Sequence, residues 1–448
     1  MAPELPQPCL FDFNTYLQKP HVQQALSAYF EPHRIHTASV SGKQAYSATQ
    51  LTGGLVNVTA RVALQRDGSK CTVILKYAPP FVAASLGNMP FGQFRQTIES
   101  RALFLLDETP SVKQQLERLQ VRIPKPIWFD EHEHVLALED LGEELVTLDD
   151  WLCSAGGFPE LDVCETVGSR LGEALAVVHT DERLRERLDR TDFVNPDTAE
   201  LVGEEVVGKI QELLNQYLPT DAEDPYLATS ISTIIKNEYT RNDSTPEASI
   251  FSNGDLWTGS VLISKGGDAN INTKPLVGVI DWEFAGAGRV LQDIGQLSAW
   301  LRLLAEAPAW ASNPVHPEQP SVIPDAVMLT PSSKFAHACF TAYACRLRNS
   351  DKLSWMVEPR SDSDKQRRLR VIQSTWILHG REIIYNATSP DTAEKFSRLV
   401  PPDTFYSWRV HMVKLGCWYV LSANDSTLEF EATIAKECFL EPLYHLEW

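Results

Sequence analysis

The sequence predicts an α+β protein of two lobes. Residues 1–140 form a β-rich lobe, and residues 141–448 a mainly helical one with a β-hairpin embedded in it. Three observations carry this. Val56, Val58, Ala60, Val62 and Leu64 alternate with Asn57, Thr59, Arg61 and Ala63, the period of two of a half-buried strand. From Val163 the apolar spacing turns helical, with Val167, Leu171, Ala174, Leu175 and Val178 on one face that ends at His179. Inside that helical part, the short β-branched runs SVLI and LVGVI are bounded by turn residues and read as two strands. A chain of 448 residues is long for one core and suits two lobes sharing a cleft.

In order along the first lobe, LTGGLVN (Leu51 to Asn57) is a glycine turn that leads into the alternating strand. Arg66-Asp67-Gly68-Ser69 is a hairpin turn, and CTVILKYA the returning strand with Lys76 near its end. An irregular stretch, Ala78 to Gly92, precedes a helix carrying Ile98, Ala102, Leu105 and Leu106. HVLALEDLGEEL is a further strand, and the hinge falls at Glu139 to Gly142. In the second lobe, helical patterns cover roughly Glu200 to Tyr217, Tyr226 to Tyr239, Leu291 to Leu304, Phe335 to Leu347 and Gln366 to Tyr385. The Pro-rich segment Ala307 to Pro331 is expected to be a surface loop.

Composition narrows the function. A net charge of −19 argues against a nucleic-acid partner, because phosphate backbones need a basic surface. The eight cysteines are scattered without a Cys-x-x-Cys pair, which speaks against a disulfide framework or a zinc site. No basic-then-apolar leader opens the sequence, and no run approaches a membrane span. A cytoplasmic enzyme or binding protein is expected, with no membrane partner.

The chemistry concentrates in two segments. SNGDLWTGSVLI places Asp255 on a turn after Gly254, and VGVIDWEFAGAG places Asp281 and Glu283 at the end of the second hairpin strand. Three carboxylates around one hairpin repel one another unless a cation such as magnesium lies among them. Phosphoryl transfer from ATP needs such a set, plus positive charge on the phosphates and a base at the incoming hydroxyl. Gly53, Gly54 and Asn57 would form the turn over the phosphates, although Gly-Gly between strands is often only a turn. Lys76 would contact the phosphates, steered by Glu99; otherwise it is an exposed edge charge, and Glu99 an i,i+4 partner of Arg95.

These residues resemble the aminoglycoside phosphotransferase/choline kinase superfamily. SNGDLWTGSVLI is similar to its catalytic loop and VIDWEFAGAGRVLQDIG to its magnesium-binding segment, while LTGGLVNVTARV, the Lys76 strand, RQTIESRALFLL, LALEDLG and LGEALAVVH follow its other signatures in order. The likeness covers Gln50 to Trp300 and is closest in motif to 5-methylthioribose kinases. It implies a protein-kinase-like fold, with ATP beneath the LTGG turn and adenine against Glu139 to Leu141. It implies further that Asp255 is the base, that Asp281, Glu283 and Ser260 are magnesium ligands, and that Asp293 braces the loop. Asn253 stands where the family has a histidine and Ser260 where it has an asparagine. An amide still donates and accepts, and a hydroxyl is a usable if uncharged ligand. The acceptor is expected to be a small-molecule hydroxyl (sugar, amino alcohol or secondary metabolite), with Arg346, Arg348, His379 and Arg381 candidates to line its pocket. His179, Trp282 and Trp300 read as packed residues, and Arg367-Arg368 as a solvated helix face. The Asn253 and Ser260 departures keep a second reading open, a kinase-like nucleotide- or ligand-binding protein without turnover. A protein kinase is disfavoured, since there is no His-Arg-Asp, Asp-Phe-Gly or Ala-Pro-Glu segment.

Overall fold

The computed structural model describes residues 10–30, 46–52, 54–66, 69–154, 158–188, 191–218, 225–241, 249–265, 275–312 and 325–444. Gly53 and the Asp67-Gly68 turn lie outside the described residues.

Helices α1 (Phe13–Tyr16) and α2 (Pro20–Phe30) come first. The Asp12 side chain caps α1 by accepting from the backbone N–H groups of Asn14 and Thr15. Then follow strands β1 (Tyr46–Leu51), β2 (Val58–Arg66) and β3 (Ser69–Tyr77), helices α3 (Phe94–Asp107) and α4 (Pro110–Arg118), and strands β4 (Val121–Arg122), β5 (Pro126–Asp130) and β6 (Val135–Glu139). Five of these strands form an antiparallel sheet in the order β1-β2-β3-β6-β5. Alternation gives this sheet two different faces. Val73 and Leu75 of β3, with Val58, Ala60 and Val62 of β2, form one core with Val22, Leu26 and Phe30 of α2. The residues between them, Ile74 and Lys76, face the other way, as do Leu136 and Leu138 of β6, which belong to the main core.

After residue 140 come β7 (Leu145–Thr147), α5 (Leu148–Leu152), α6 (Leu161–Thr180), α7 (Glu182–Glu186), α8 (Pro196–Leu201), α9 (Ile210–Tyr217) and α10 (Leu227–Thr240). Strands β8 (Ser249–Ser252), β9 (Val261–Ser264), β10 (Val277–Val279) and β11 (Gly286–Arg289) come next. Seven helices follow: α11 (Gln292–Ser312), α12 (Asp325–Met328), α13 (Pro331–Arg348), α14 (Asp362–Thr388), α15 (Pro390–Ser397), α16 (Phe405–Ala423) and α17 (Thr427–Ile434). The expected hairpin is β9–β10, within a four-stranded sheet ordered β4-β10-β9-β7; β8 and β11 form a separate antiparallel ribbon. β4, on the amino-terminal side of residue 140, pairs in parallel with β10. The stretch after β6 is tied down by Arg61, which donates through Nε to Asp140 at 2.5 Å and through Nη2 to the Gly142 carbonyl at 3.1 Å.

Two expectations need correction. The segment beginning at Ala307 is not a loop at its start, because α11 runs on to Ser312 with Pro308 inside it. Ala307 and Trp310 are buried, so the packed face continues across the proline despite its missing N–H. Arg367 and Arg368 are not a solvated face either. Arg367 lies 4.0 Å from the Trp355 ring centroid, and Arg368 donates to the Tyr444 carbonyl, which fastens that residue to α14.

Candidate active site

Lys76 is buried on the inner face of β3, where an edge lysine would be exposed. Its ammonium donates to the Glu99 carboxylate of α3 at 2.9 Å and to Asp281 Oδ1, just after β10, at 2.8 Å. Burial opposes the charge on Lys76, but Asp281, Glu99 and Glu283 outweigh it and push its pKa above the ordinary lysine value. Glu99 also accepts from Gln96 Nε2 at 3.0 Å. Arg95 therefore has other work than pairing with Glu99. Fully buried, it donates to Asn57 Oδ1 at 3.0 Å and to the carbonyls of Gly92 at 2.7 Å and Pro79 at 2.8 Å. Asn57 in turn donates to Glu283 Oε2, which also lies 3.6 Å from Arg95 Nε. The base of the LTGG turn is thus joined to the Asp-x-Glu segment through one amide and one guanidinium.

The loop after β8 is built from the same logic. Gly254 has φ +87°, and a Cβ there would stand 2.1 Å from the Phe284 carbonyl oxygen, so only glycine fits. Asn253 serves both loops: its Oδ1 accepts from the Asp255 N–H at 3.2 Å, and its Nδ2 donates to the Asp281 carbonyl at 3.0 Å. Asp293, at the start of α11, accepts four hydrogen bonds. Ser252 Oγ (2.5 Å) and the Gly254 N–H (3.1 Å) meet Oδ1, while the Asn253 N–H (2.7 Å) and His179 Nε2 (3.1 Å) meet Oδ2. Burial alone would raise the pKa of Asp293, but its His179, Ser252 and Asn253 partners hold it below the usual aspartate value. His179 is buried and its Nδ1 lies 2.9 Å from the Tyr343 hydroxyl, so it packs and braces.

Asp255 is half-buried at the tip of this loop. Burial first, then the negative charges of Glu382, Glu283, Asp281 and Asp293, raise its pKa to about 7. Such a field is what a cluster of carboxylates creates when little positive charge faces it. Asp281 is held in the left-handed region at φ 59°, with its side chain 35% exposed and only Oδ1 bound to Lys76. Among the described residues, no three His, Cys, Asp or Glu side chains converge as a metal cage. Asp281 and Glu283 suit an ion that takes one or two carboxylates and completes its shell with phosphate oxygens and water, the habit of magnesium.

Ser260, whose carbonyl accepts from the Ile280 N–H at 2.9 Å, has its hydroxyl engaged in its own turn. It is fully buried; its hydroxyl donates to the Trp257 carbonyl at 2.8 Å and accepts from the Trp257 N–H at 3.0 Å, closing the turn Thr258–Ser260. Glu139, at the end of β6, is paired with Arg122, while its backbone N–H reaches the Lys125 carbonyl at 2.8 Å. Leu141 lies against the hairpin at Gly278, and Gly54 sits just before the Asn57 anchor.

Residues 105–312 match the family model described as the phosphotransferase enzyme family. This part of the chain is similar to that family. Similar solved structures include a choline kinase from Cryptosporidium parvum Iowa II, at 11% identity and TM-score 0.42, covering 91% of this chain and 98% of that one. A microcompartment-associated aminopropanol kinase aligns at 16% identity and TM-score 0.40, covering 90% and 98%. A glucosamine kinase aligns at 14% identity and TM-score 0.41, covering 89% and 85%. No curated protein matches the chain in sequence. The described residues combine an amino-terminal β-sheet region with a mainly helical carboxy-terminal region.

The remaining arginine and histidine candidates separate. Arg346 donates to Gln115 of α4, Arg348 pairs with Glu358 at 2.9 Å, and His379 is buried against Ser298 at 2.6 Å. None of the three lines the cavity between α10, β11, α11 and α14 to which Arg381 contributes. Trp282 stacks on Phe251, and Trp300 packs 4.9 Å from Trp257, both as core residues. Two residues escaped sequence reasoning. Arg95 was visible only as a neighbour of Glu99, and Glu382 carries no motif at all.

Proposed function

We propose that the protein is an ATP- and Mg²⁺-dependent kinase that transfers the γ-phosphoryl group to a hydroxyl of a small molecule, through lobes that divide near residue 140. The observation that carries this reading is the Lys76 ammonium, buried and held at once by Glu99 of one lobe and Asp281 of the other. A buried cation at the mouth of two lobes, opposite a carboxylate cluster, has no structural need to be there. It suits triphosphate, which would lie beneath Gly54 and Asn57 with adenine against Glu139 to Leu141.

Asp281, with Glu283, would hold the magnesium ion, whose chemistry is to neutralise the phosphate oxygens. Asp255 accepts the proton of the acceptor hydroxyl. As that oxygen bonds to the γ-phosphorus, the bond from phosphorus to the β–γ bridging oxygen breaks, and ADP carries away the electron pair. A base with a pKa of about 7 is poised for neutral pH. Asn253 and Asp293 hold the loop so that Asp255 keeps its place. Ser260, engaged in its own turn, leaves the metal shell one protein ligand short. That observation favours the second reading, a nucleotide-binding protein without turnover.

Magnesium-dependent ATP consumption with pooled hydroxyl acceptors separates the two. Asp255→Asn should retain the thermal shift given by Mg-ATP and lose roughly 10²–10⁴-fold in kcat. In wild type, kcat/KM should fall as pH drops below about 7, where Asp255 becomes protonated. Undiminished turnover in Asp255→Asn removes Asp255 as the base, and consumption by no acceptor favours the binding protein.

A further inference from the structure

Lys395 of α15 has no part in the chemistry described so far. Its ammonium pairs with Asp149, in the first turn of α5, whose carboxylate is buried. The same ammonium lies over two indoles, 5.3 Å from the ring centroid of Trp257 and 5.4 Å from that of Trp300. Those rings stand 4.9 Å apart, so one cation serves both faces. A lysine ordinarily keeps its ammonium in water and lays only its stem on apolar surface. Here the charge is drawn inward by a buried carboxylate, and removing either partner strands the other.

Trp257 gives this cluster its reach, because it stands two residues after Asp255. Its ring lies against Gly259, where a Cβ would meet the indole at 2.3 Å. Its backbone is held by Ser260, whose Oγ accepts from the Trp257 N–H at 3.0 Å, donates to the Trp257 carbonyl at 2.8 Å, and stands 3.4 Å from the Asp255 carbonyl. Asn253 and Asp293 secure the loop ahead of Asp255. Trp257 and Ser260 secure it behind.

We propose that Lys395 is a positioning residue for phosphoryl transfer: by clamping Trp257 to Trp300 and Asp149, it fixes the carboxy-terminal side of the Asp255 loop. The inference rests on the phosphoryl-transfer reading above. Lys395 acts through Trp257 and not on the reacting atoms. A loop anchored on one side only lets Asp255 drift from the acceptor hydroxyl, and a misplacement of about 1 Å costs on the order of 10²-fold in rate. Nucleotide binding, which falls to Lys76 and the glycine turn, does not depend on the clamp.

Lys395→Met keeps an unbranched apolar stem and removes the ammonium. It should lower kcat by about 10–10²-fold while leaving the Mg-ATP thermal shift as in wild type. Lys395→Arg, which still pairs with a carboxylate and stacks on indoles, should recover most of kcat. Trp257→Leu removes the relay, so adding Lys395→Met to it should cost less than about twofold more. Hydrogen exchange of peptides spanning residues 253–260 gives a measure independent of turnover: faster in Lys395→Met, close to wild type in Lys395→Arg. An undiminished kcat in Lys395→Met overturns the inference. So does a full further loss in the Trp257→Leu background, or a loss of the Mg-ATP shift in step with kcat. Asp149→Asn, which frees the ammonium without shortening either side chain, carries the same tests if Lys395→Met fails to fold. If wild type phosphorylates no acceptor, faster exchange in Lys395→Met that Lys395→Arg reverses upholds the clamp and rejects only the transfer reaction. Unchanged exchange rejects the clamp.

Discussion

Replacing Asp293 by asparagine isolates the carboxylate from which the loop of Asp255 hangs. Each of its oxygens takes one backbone N–H and one adaptable group: Gly254 N with Ser252 Oγ, and Asn253 N with His179. A serine hydroxyl can rotate and an imidazole can change tautomer, so those two contacts adjust to an amide. The backbone groups cannot. Turned one way, its NH₂ end strands the buried Asn253 N–H; turned the other, the Gly254 N–H loses the carboxylate and keeps only Ser252 Oγ at 3.0 Å. At roughly 1.5–3 kcal/mol for such a bond, lost in whichever orientation is cheaper, the expected loss is about 1.5–3 kcal/mol. Urea unfolding followed by tryptophan fluorescence reads this as a lower midpoint with unchanged slope. The sign with pH adds a second check. The folded pKa lies below the ordinary 3.8, so the carboxylate stabilises fully above that value and loses its contribution as pH falls through the folded pKa. The gap between wild type and Asp293→Asn should therefore narrow in acid. A gap within about 0.5 kcal/mol at neutral pH, the range of an ordinary surface change, or one that stays constant into acid, refutes the brace.

Other outcomes follow from the same geometry. Lys76→Ala should abolish most of the Mg-ATP thermal shift, and an undiminished shift would remove Lys76 from the nucleotide site. Gly254→Ala should destabilise by about 1–3 kcal/mol, because φ +87° and the Phe284 carbonyl both oppose a Cβ; a neutral result would show the loop free to move. Ser260→Ala should cost about 1 kcal/mol by opening its turn, yet leave the magnesium concentration for half-maximal activity unchanged. A raised magnesium requirement in that variant would restore Ser260 to the metal shell.

The legible parts of the sequence were those with strong local periodicity. The alternation from Val58 marks β2, and SVLI with LVGVI marks β9 and β10, because one face of each must be buried. The order of Lys76, Glu99, Asp255 and Asp281 was also legible, and the structure joins Lys76 to Glu99 and Asp281 directly. Ribbon strand β11, with the residues Gly286-Ala287-Gly288-Arg289, was not, since glycine and alanine have no strand preference and only its pairing with β8 makes it extended. Ser260 shows another limit. Its position could be matched by motif, but whether its hydroxyl turns inward depends on the three-dimensional turn. Glu382 has meaning only through the approach of α14 to the Asp255 loop, which no local pattern encodes.

The double-faced sheet bears on how short the chain can be made. A recombinant product trimmed to begin at Tyr46 would strip α2 from Val62, Val73, Leu75 and Val135 and leave a contiguous greasy surface on the outer side of the sheet. Such surfaces favour self-association. Copying the borders of the family-matched segment, 105–312, would go further and delete Lys76 and Glu99 along with α14. Insoluble or inert material from either truncation would report a missing wall, and soluble expression calls for a start before Asp12, whose side chain opens the first helix.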